Sequence, residues 1–149
     1  NTVTREFTEG LIELRKSTNA FRLGDQQLVN QNVHLLDLPE IQETDLVIAY
    51  KPVSTDDTGT YFVFVNADTQ ARTLTLREHN LSKGKVVVDS DEAGKTPVSK
   101  KSGFTLGNGT LTIDPLTTIV FKVSGKSDKD PGNGPKPGNS KTLEAVISK

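Results

Sequence analysis

The sequence predicts a mainly β protein: an antiparallel β-sandwich of about eight strands preceded by one amphipathic α-helix. Three observations predict it. Apolar residues at the front of the chain recur every three or four positions, beyond Asn32 they gather into short runs rich in β-branched and aromatic side chains, and the stretches between those runs are short and full of turn residues. No helix-length segment separates one run from the next, so the crossover connections of a parallel sheet have no room.

The helix comes first. Val3, Phe7, Leu11 and Leu14 form a stripe that Ile12 widens, while Arg5, Glu6, Glu9, Glu13 and Lys16 take the other side. Asn1 or Thr2 caps its start, and Ser17, Thr18 and Asn19, poor helix formers, end it. Asp25 caps a shorter turn through Leu28 and Val29. A helix of about 15 residues is marginal alone in water, and each of Phe7, Leu11, Ile12 and Leu14 contributes about 1.5–3 kcal/mol only if a partner surface covers it, supplied by the sandwich or by a preceding domain, of which the absent methionine favours the second.

The strand runs follow as Val33 to Leu36, Leu46 to Tyr50, Tyr61 to Val65, Arg72 to Leu76, Lys85 to Val88, Phe104 to Leu106, Thr110 to Ile113 and Thr117 to Val123. Between them stand Asp56, Asp57 and Gly59, then Asn66 and Asp68, then Gly84, then Gly107 to Gly109. Asn108 and Gly109, flanked by Leu106 and Leu111, make the clearest hairpin, since both residues tolerate positive φ. From Gly125 to Ser140 the composition turns to glycine, proline and polar residues with nothing apolar to bury, which reads as a flexible linker. Leu143, Val146 and Ile147 recur at helical spacing in a segment too short to stand alone.

Composition bounds the function. The chain has 149 residues, 33% of them hydrophobic, and its mean hydropathy is -0.43, which fits one globular domain with flanking segments. No window approaches the roughly 20 apolar residues of a membrane span, and the start lacks the regions of a secretion signal. The absence of cysteine removes disulfides, thiolate zinc sites and cysteine nucleophiles. A net charge of -1 argues against nucleic acid as a partner. The chain holds no methionine and opens at Asn1, and the expectation is therefore a processed chain or a piece of a longer one.

Candidate chemistry is sparse. His34 in an apolar strand and His79 in a polar turn are the only imidazoles, and no Gly-x-Ser-x-Gly accompanies them, so a hydrolase triad and a histidine metal site are both unsupported. Asp89, Asp91 and Gly94 match three positions of a calcium loop, but Ala93 and Lys100 occupy two of the ligand positions and the reading fails. Asp56 and Asp57 read as turn residues, and Gly107 to Gly109 is followed by a strand rather than the helix a phosphate loop needs. Most aromatic residues fall inside strand runs and belong to a core. Tyr61 is the exception: it opens a strand after a polar loop and is the candidate sugar contact.

One resemblance adds to this. Glu9-Gly10-Leu11-Ile12-Glu13-Leu14-Arg15-Lys16, followed by Ala20-Phe21-Arg22-Leu23, resembles the last barrel helix and its exit in type I pullulanases, debranching members of the α-amylase superfamily. Val47-Ile48-Ala49-Tyr50, Phe64-Val65-Asn66-Ala67, Val87-Val88-Asp89 with Ala93-Gly94, and Ile113-Asp114-Pro115-Leu116-Thr117 resemble the family's carboxy-terminal β-sandwich in order and spacing. The glycine and proline linker resembles the wall-proximal spacer of streptococcal surface pullulanases.

The resemblance implies three parts: residues 1–32 as the terminal helical segment of an upstream catalytic barrel, 33–124 as the β-sandwich, and 125–149 as linker and tail. It implies a non-catalytic segment of an extracellular, cell-wall-associated enzyme that cleaves α-1,6 branch linkages in pullulan and glycogen-type glucans with paired carboxylates carried elsewhere. On this reading Phe7, Leu11, Ile12 and Leu14 pack on the barrel of the same parent protein, the glucan is reached through that parent, and no cofactor or metal is used. Two alternatives stand beside it: a glucan-binding module in which Tyr61 or another exposed ring stacks on sugar, and a structural stalk domain of a cell-wall adhesin.

Overall fold

The computed structural model describes residues 1–77 and 79–124, so the linker from Gly125 to Ser140 and the stripe of Leu143, Val146 and Ile147 lie outside the described residues. Helix α1 is Thr2–Ser17; the Asn1 side chain accepts from the Val3 amide at 3.2 Å, and Arg15 and Lys16 stand in its last turn, where the helix dipole favours cations. Helix α2 is Gln26–Asn32, capped by the Asp25 carboxylate, which accepts from the Leu28 amide at 3.1 Å.

Eight strands follow: β1 (Val33–Leu35), β2 (Val47–Pro52), β3 (Thr60–Asn66), β4 (Arg72–Thr75), β5 (Lys85–Val88), β6 (Phe104–Leu106), β7 (Thr110–Ile113) and β8 (Thr117–Ser124). They form an antiparallel five-stranded sheet in the order β1-β2-β3-β8-β5 and a three-stranded sheet in the order β4-β7-β6. At the β6–β7 turn, Gly107 donates to the Thr110 carbonyl at 2.8 Å. Only Gly109, at φ +75°, takes the left-handed conformation there; Asn108 does not.

The two sheets enclose one apolar core. Val47, Ala49, Phe62, Phe64, Ile119 and Phe121 enter it from the larger sheet and Leu74, Leu111 and Ile113 from the smaller, with Phe64 and Phe121 edge to face at 6.0 Å. The ends are tied by polar groups. The buried Asn66 amide donates to the Gln70, Ile113 and Asp114 carbonyls at 2.9 to 3.1 Å, while its oxygen accepts from the Asp68 amide at 3.0 Å. Arg72 reaches the Asp45 and Asp68 carboxylates, each at 3.3 Å, and the Glu40 carboxylate accepts from the amide and hydroxyl of Thr75.

The larger sheet is covered on its second face too. Tyr61 and Val63 of β3, Val87 and Val88 of β5 and Val120 of β8 form a second cluster with Leu14 and Ala20. In β3, Tyr61 to Phe64 are all buried, alternating between the two clusters. The helix is thus a third layer resting on the sandwich, rather than a segment that leads into it.

Candidate functional site

The most elaborate local chemistry lies where α1 meets the outer face of the larger sheet. Helix α1 places Gly10 against the loop after β5, where a methyl group on residue 10 would overlap the Ala93 carbonyl oxygen. That loop is held rigidly. The buried Asp89 carboxylate accepts from the Asp91 and Glu92 amides, each at 2.9 Å, and from the Ser102 amide at 2.9 Å, while Val88 and Ala93 form an isolated antiparallel bridge. Glu92 in turn accepts from the Lys100 and Ser99 amides and the Ser99 hydroxyl, which together hold its carboxyl below the ordinary value of 4.5.

One helical turn further on, Leu14 enters the second cluster, 5% exposed. Beyond it the chain leaves the helix and clasps the β2–β3 loop. The buried Thr18 hydroxyl accepts from the Ala20 amide at 3.1 Å and lies 2.8 Å from the Thr58 hydroxyl. Asn19 exchanges two hydrogen bonds with Thr55, its amide donating at 2.6 Å and its oxygen accepting from the Thr55 amide at 3.0 Å. Thr58 also donates, through hydroxyl and amide, to Asp56, and the hydroxyl bond is the main reason that carboxyl sits below its ordinary value of 3.8. Arg22 closes the exit by donating to the Arg15 carbonyl at 3.0 Å.

The four helix residues expected to pack on a partner divide. Leu14 and, at its margin, Phe7 pack on the chain's own sheet, whereas Leu11 is 41% and Ile12 48% exposed. Of the two surfaces open to the stripe, the sandwich is the one that receives Leu14: the apolar outer face of the larger sheet lies beneath it. The Tyr61 expectation is corrected. Tyr61 is 1% exposed, its ring lying against Gly59 and 4.8 Å from Phe21, so it offers no face to a sugar.

Alpha1 roofs only part of this face. By strand register, Leu35, Ile48, Tyr50 and Val65 share the side of Val63 and Val120. Leu35, Leu46 and Ile48 are exposed, and Tyr50 and Val65 half-buried. A groove of about 220 Å³ runs between Leu11 and Phe21 on one side and Tyr50, Thr118 and Val120 on the other. A concavity of about 470 Å³ at β1 and β2 is lined by Leu35, Leu46, Ile48 and Val65, by Leu36, Ile41, Val47 and Ala49 of the inner side, and by Gln42 and Glu43.

The weaker sequence candidates fall elsewhere. His34 is exposed on β1; His79 lies 5.5 Å from the Phe62 ring and shares a concavity of about 340 Å³ with Arg77 and the Asn108–Gly109 turn. Asp57 occupies a left-handed turn position at φ +61°, and Asp89 organises a loop rather than a calcium site. Among the described residues no group of three or more histidine, cysteine, aspartate or glutamate side chains is placed to hold a metal, and no helix is long and apolar enough to cross a membrane. What sequence reasoning missed is the joint itself: Gly10, Thr18, Asn19 and the Asp89 loop. Gly10 within an otherwise good helix pattern was the one available signal.

Comparison with known proteins places these observations. Residues 32–124 match a family described as SpuA C-terminal. The chain is 34% identical over 129 residues to pullulanase A of Streptococcus pneumoniae, a match that covers 83% of this chain and 10% of that protein. It superposes on the crystal structure of the Group B Streptococcus pullulanase SAP with a TM-score of 0.75 and 44% identity, over 83% of this chain and 16% of that one. A structure described as the catalytic module of the multi-modular glycogen-degrading pneumococcal virulence factor SpuA, in complex with an inhibitor, gives a TM-score of 0.74 and 33% identity over 84% of this chain and 18% of that one. The chain thus spans 10% of the length of the pneumococcal relative and 16% to 18% of the matched structures.

Proposed function

The chain belongs to the SpuA C-terminal family, and from that premise we propose that it is the non-catalytic carboxy-terminal module of a pullulanase-type glycoside hydrolase, packed against the catalytic barrel of the same polypeptide and stabilising it. One observation carries this reading. The family match begins at residue 32, yet α1, which lies before it, is fastened to the module by Gly10, Leu14, Thr18 and Asn19. A helix that belongs to the preceding unit and is seated on the module is a joint between the two.

The matched pneumococcal structure supports it, because there the similar segment lies within a chain described as a catalytic module. The substrate of the whole enzyme is an α-glucan with α-1,6 branch linkages, and the module meets it through its parent rather than through a site of its own. The burial of Tyr61 weighs against a separate sugar-stacking platform at that residue. The polar, glycine- and proline-rich composition of 125–140 suits a spacer outside the cell, where such polysaccharides are met.

The test is direct. The chain incubated alone with pullulan releases no reducing ends, and release would defeat the assignment of catalysis to another part of the enzyme. Placed in the Group B Streptococcus pullulanase in exchange for that enzyme's matching segment, it restores an active enzyme with a single thermal transition; two separate transitions would defeat the packing role.

A further inference from the structure

We propose that Asn108 is a self-modifying site: its side-chain amide is displaced by the backbone nitrogen of Gly109, and residue 108 becomes aspartate or isoaspartate without any enzyme. The inference is independent of the reading above and concerns the tip of the β6–β7 hairpin.

The chemistry has three requirements. A carboxamide must stand one residue ahead of an amide nitrogen that can reach it, that nitrogen must not be held by a hydrogen-bond acceptor, and no side chain may crowd the five-membered ring that forms. Asparagine followed by glycine meets the first and third by composition, and Asn108 is the only asparagine among the described residues that glycine follows. The fold supplies the second. The hairpin closes through the Gly107 amide and the Thr110 carbonyl, and the Gly109 carbonyl accepts from the Leu76 amide at 2.9 Å, so the turn is fixed on both sides without use of the Gly109 nitrogen. Among the described residues nothing accepts from the Gly109 amide, and the Asn108 side chain makes no hydrogen bond. Both residues are exposed, and a methyl group on residue 109 would meet no atom within 4 Å.

Other asparagines are restrained. Asn66 is buried with its amide and its oxygen both bonded, Asn19 is tied to Thr55, and the Asn32 amide donates to the Leu28 carbonyl. Each of the three is also followed by a residue that carries a side chain, namely Ala67, Ala20 and Val33.

The step balances with water alone. The Gly109 nitrogen gives up its proton to water and attacks Cγ of Asn108; the N–Cγ bond forms, the Cγ–Nδ2 bond breaks, and Nδ2 leaves as ammonia, a proton from water replacing the one given up. Water then opens the resulting succinimide. Opening at Cγ leaves aspartate, whereas opening at the backbone carbonyl leaves isoaspartate and one more methylene in the main chain. Either product takes the formal net charge of the chain from -1 to one unit lower. It also sets a carboxylate at the concavity of about 340 Å³ where the described lining holds Arg77 and His79 and no acid.

Trypsin isolates the event, because the tryptic peptide 102–122 contains Asn108 as its sole side-chain amide, and Asn133, which glycine also follows, falls in a separate peptide. After weeks of warm storage in neutral buffer, peptide 102–122 gains the mass that replaces –NH2 by –OH, and protein isoaspartyl methyltransferase labels it. The rate lies within about tenfold of that of the free peptide 106–113, tenfold being about what one hydrogen bond on the Gly109 amide would contribute. A larger slowing means that the fold shields the turn and overturns the proposal. Aspartate without isoaspartate means direct hydrolysis and overturns the succinimide route. Asn108→Gln, whose ring closure needs six members, keeps the mass of 102–122 constant through the same storage; an equal gain in that variant overturns the assignment to Gly109.

Discussion

Gly10 and Ala93 are in contact at a distance that admits no side chain: the carbonyl oxygen of Ala93 occupies the place where a methyl group on residue 10 would begin. The contact ties a helix ahead of the family match to a loop inside it, and it yields a prediction with an unusual sign.

In a solvated helix, Gly→Ala stabilises by about 1 kcal/mol, because alanine gives up less backbone freedom. Gly10→Ala does the reverse here. The methyl group collides with backbone held by Asp89, and α1 lifts from the sheet. Hydrogen exchange followed by mass spectrometry shows faster exchange over 2–17 with β3 and β8 unchanged; slower exchange over 2–17 would mean that the helix stands free.

Leu14 and its neighbours separate cleanly. Leu14→Ala removes a buried side chain from the second cluster and costs about 2–4 kcal/mol. Leu11→Ala and Ile12→Ala cost the isolated chain about 1 kcal/mol or less, since Leu11 stays 41% and Ile12 48% exposed. Urea unfolding of the three variants measures the difference, and equal costs would contradict the placement of the stripe.

Asn66 joins the end of β3 to the β7–β8 connection through three carbonyl acceptors and one amide donor. Asn66→Ala leaves buried carbonyls without their donor and lowers stability by about 2–4 kcal/mol. Asn66→Asp is at least as harmful at neutral pH, because it sets a carboxylate against those same carbonyl oxygens. Thermal unfolding of both variants tests the ordering.

Acid unfolds the protein through identifiable groups. Burial pushes the Glu40 carboxyl up, but the hydroxyl and amide of Thr75 hold it below its ordinary 4.5; Asp45 is held below 3.8 first by the Gln42 amide and then, against some desolvation, by Arg72. Asp56 and Glu92 are lowered by their own donors. A carboxyl whose folded value is depressed contributes stability in full above its ordinary value and loses it as the pH falls through the folded one. The midpoint of thermal unfolding therefore stays level down to about pH 5 and falls below it. Glu40→Gln starts lower and falls less, and an unchanged slope would exclude Glu40.

The strands were legible because each is a compact run bounded by turn chemistry, and the helix because its stripe keeps a helical period. The side to which the stripe turns was not legible. Leu14 and Leu11 look alike in sequence, and only the placement of Val63 and Val120 under one of them tells them apart. Gly10 reads as a weak point in a helix until Ala93 stands beside it. Tyr61 misled because a polar loop precedes it, yet the unbroken run Tyr61 to Val65 lacks the polar alternation of a half-exposed strand, and that lack is the mark of burial on both sides. Thr18 and Asn19 read as helix terminators, and their bonds to the β2–β3 loop depend on contacts remote in sequence.

The double burial of β3 carries a hazard for the nascent polypeptide. Tyr-Phe-Val-Phe-Val, with no charge, proline or glycine to interrupt it, is the kind of segment that stacks into fibrils when left bare. Its principal neighbour, β8, is the last of the described strands to be synthesised, so during translation β3 waits longest among them for its mate. Whatever slows completion of β8 invites aggregation before it threatens the finished fold.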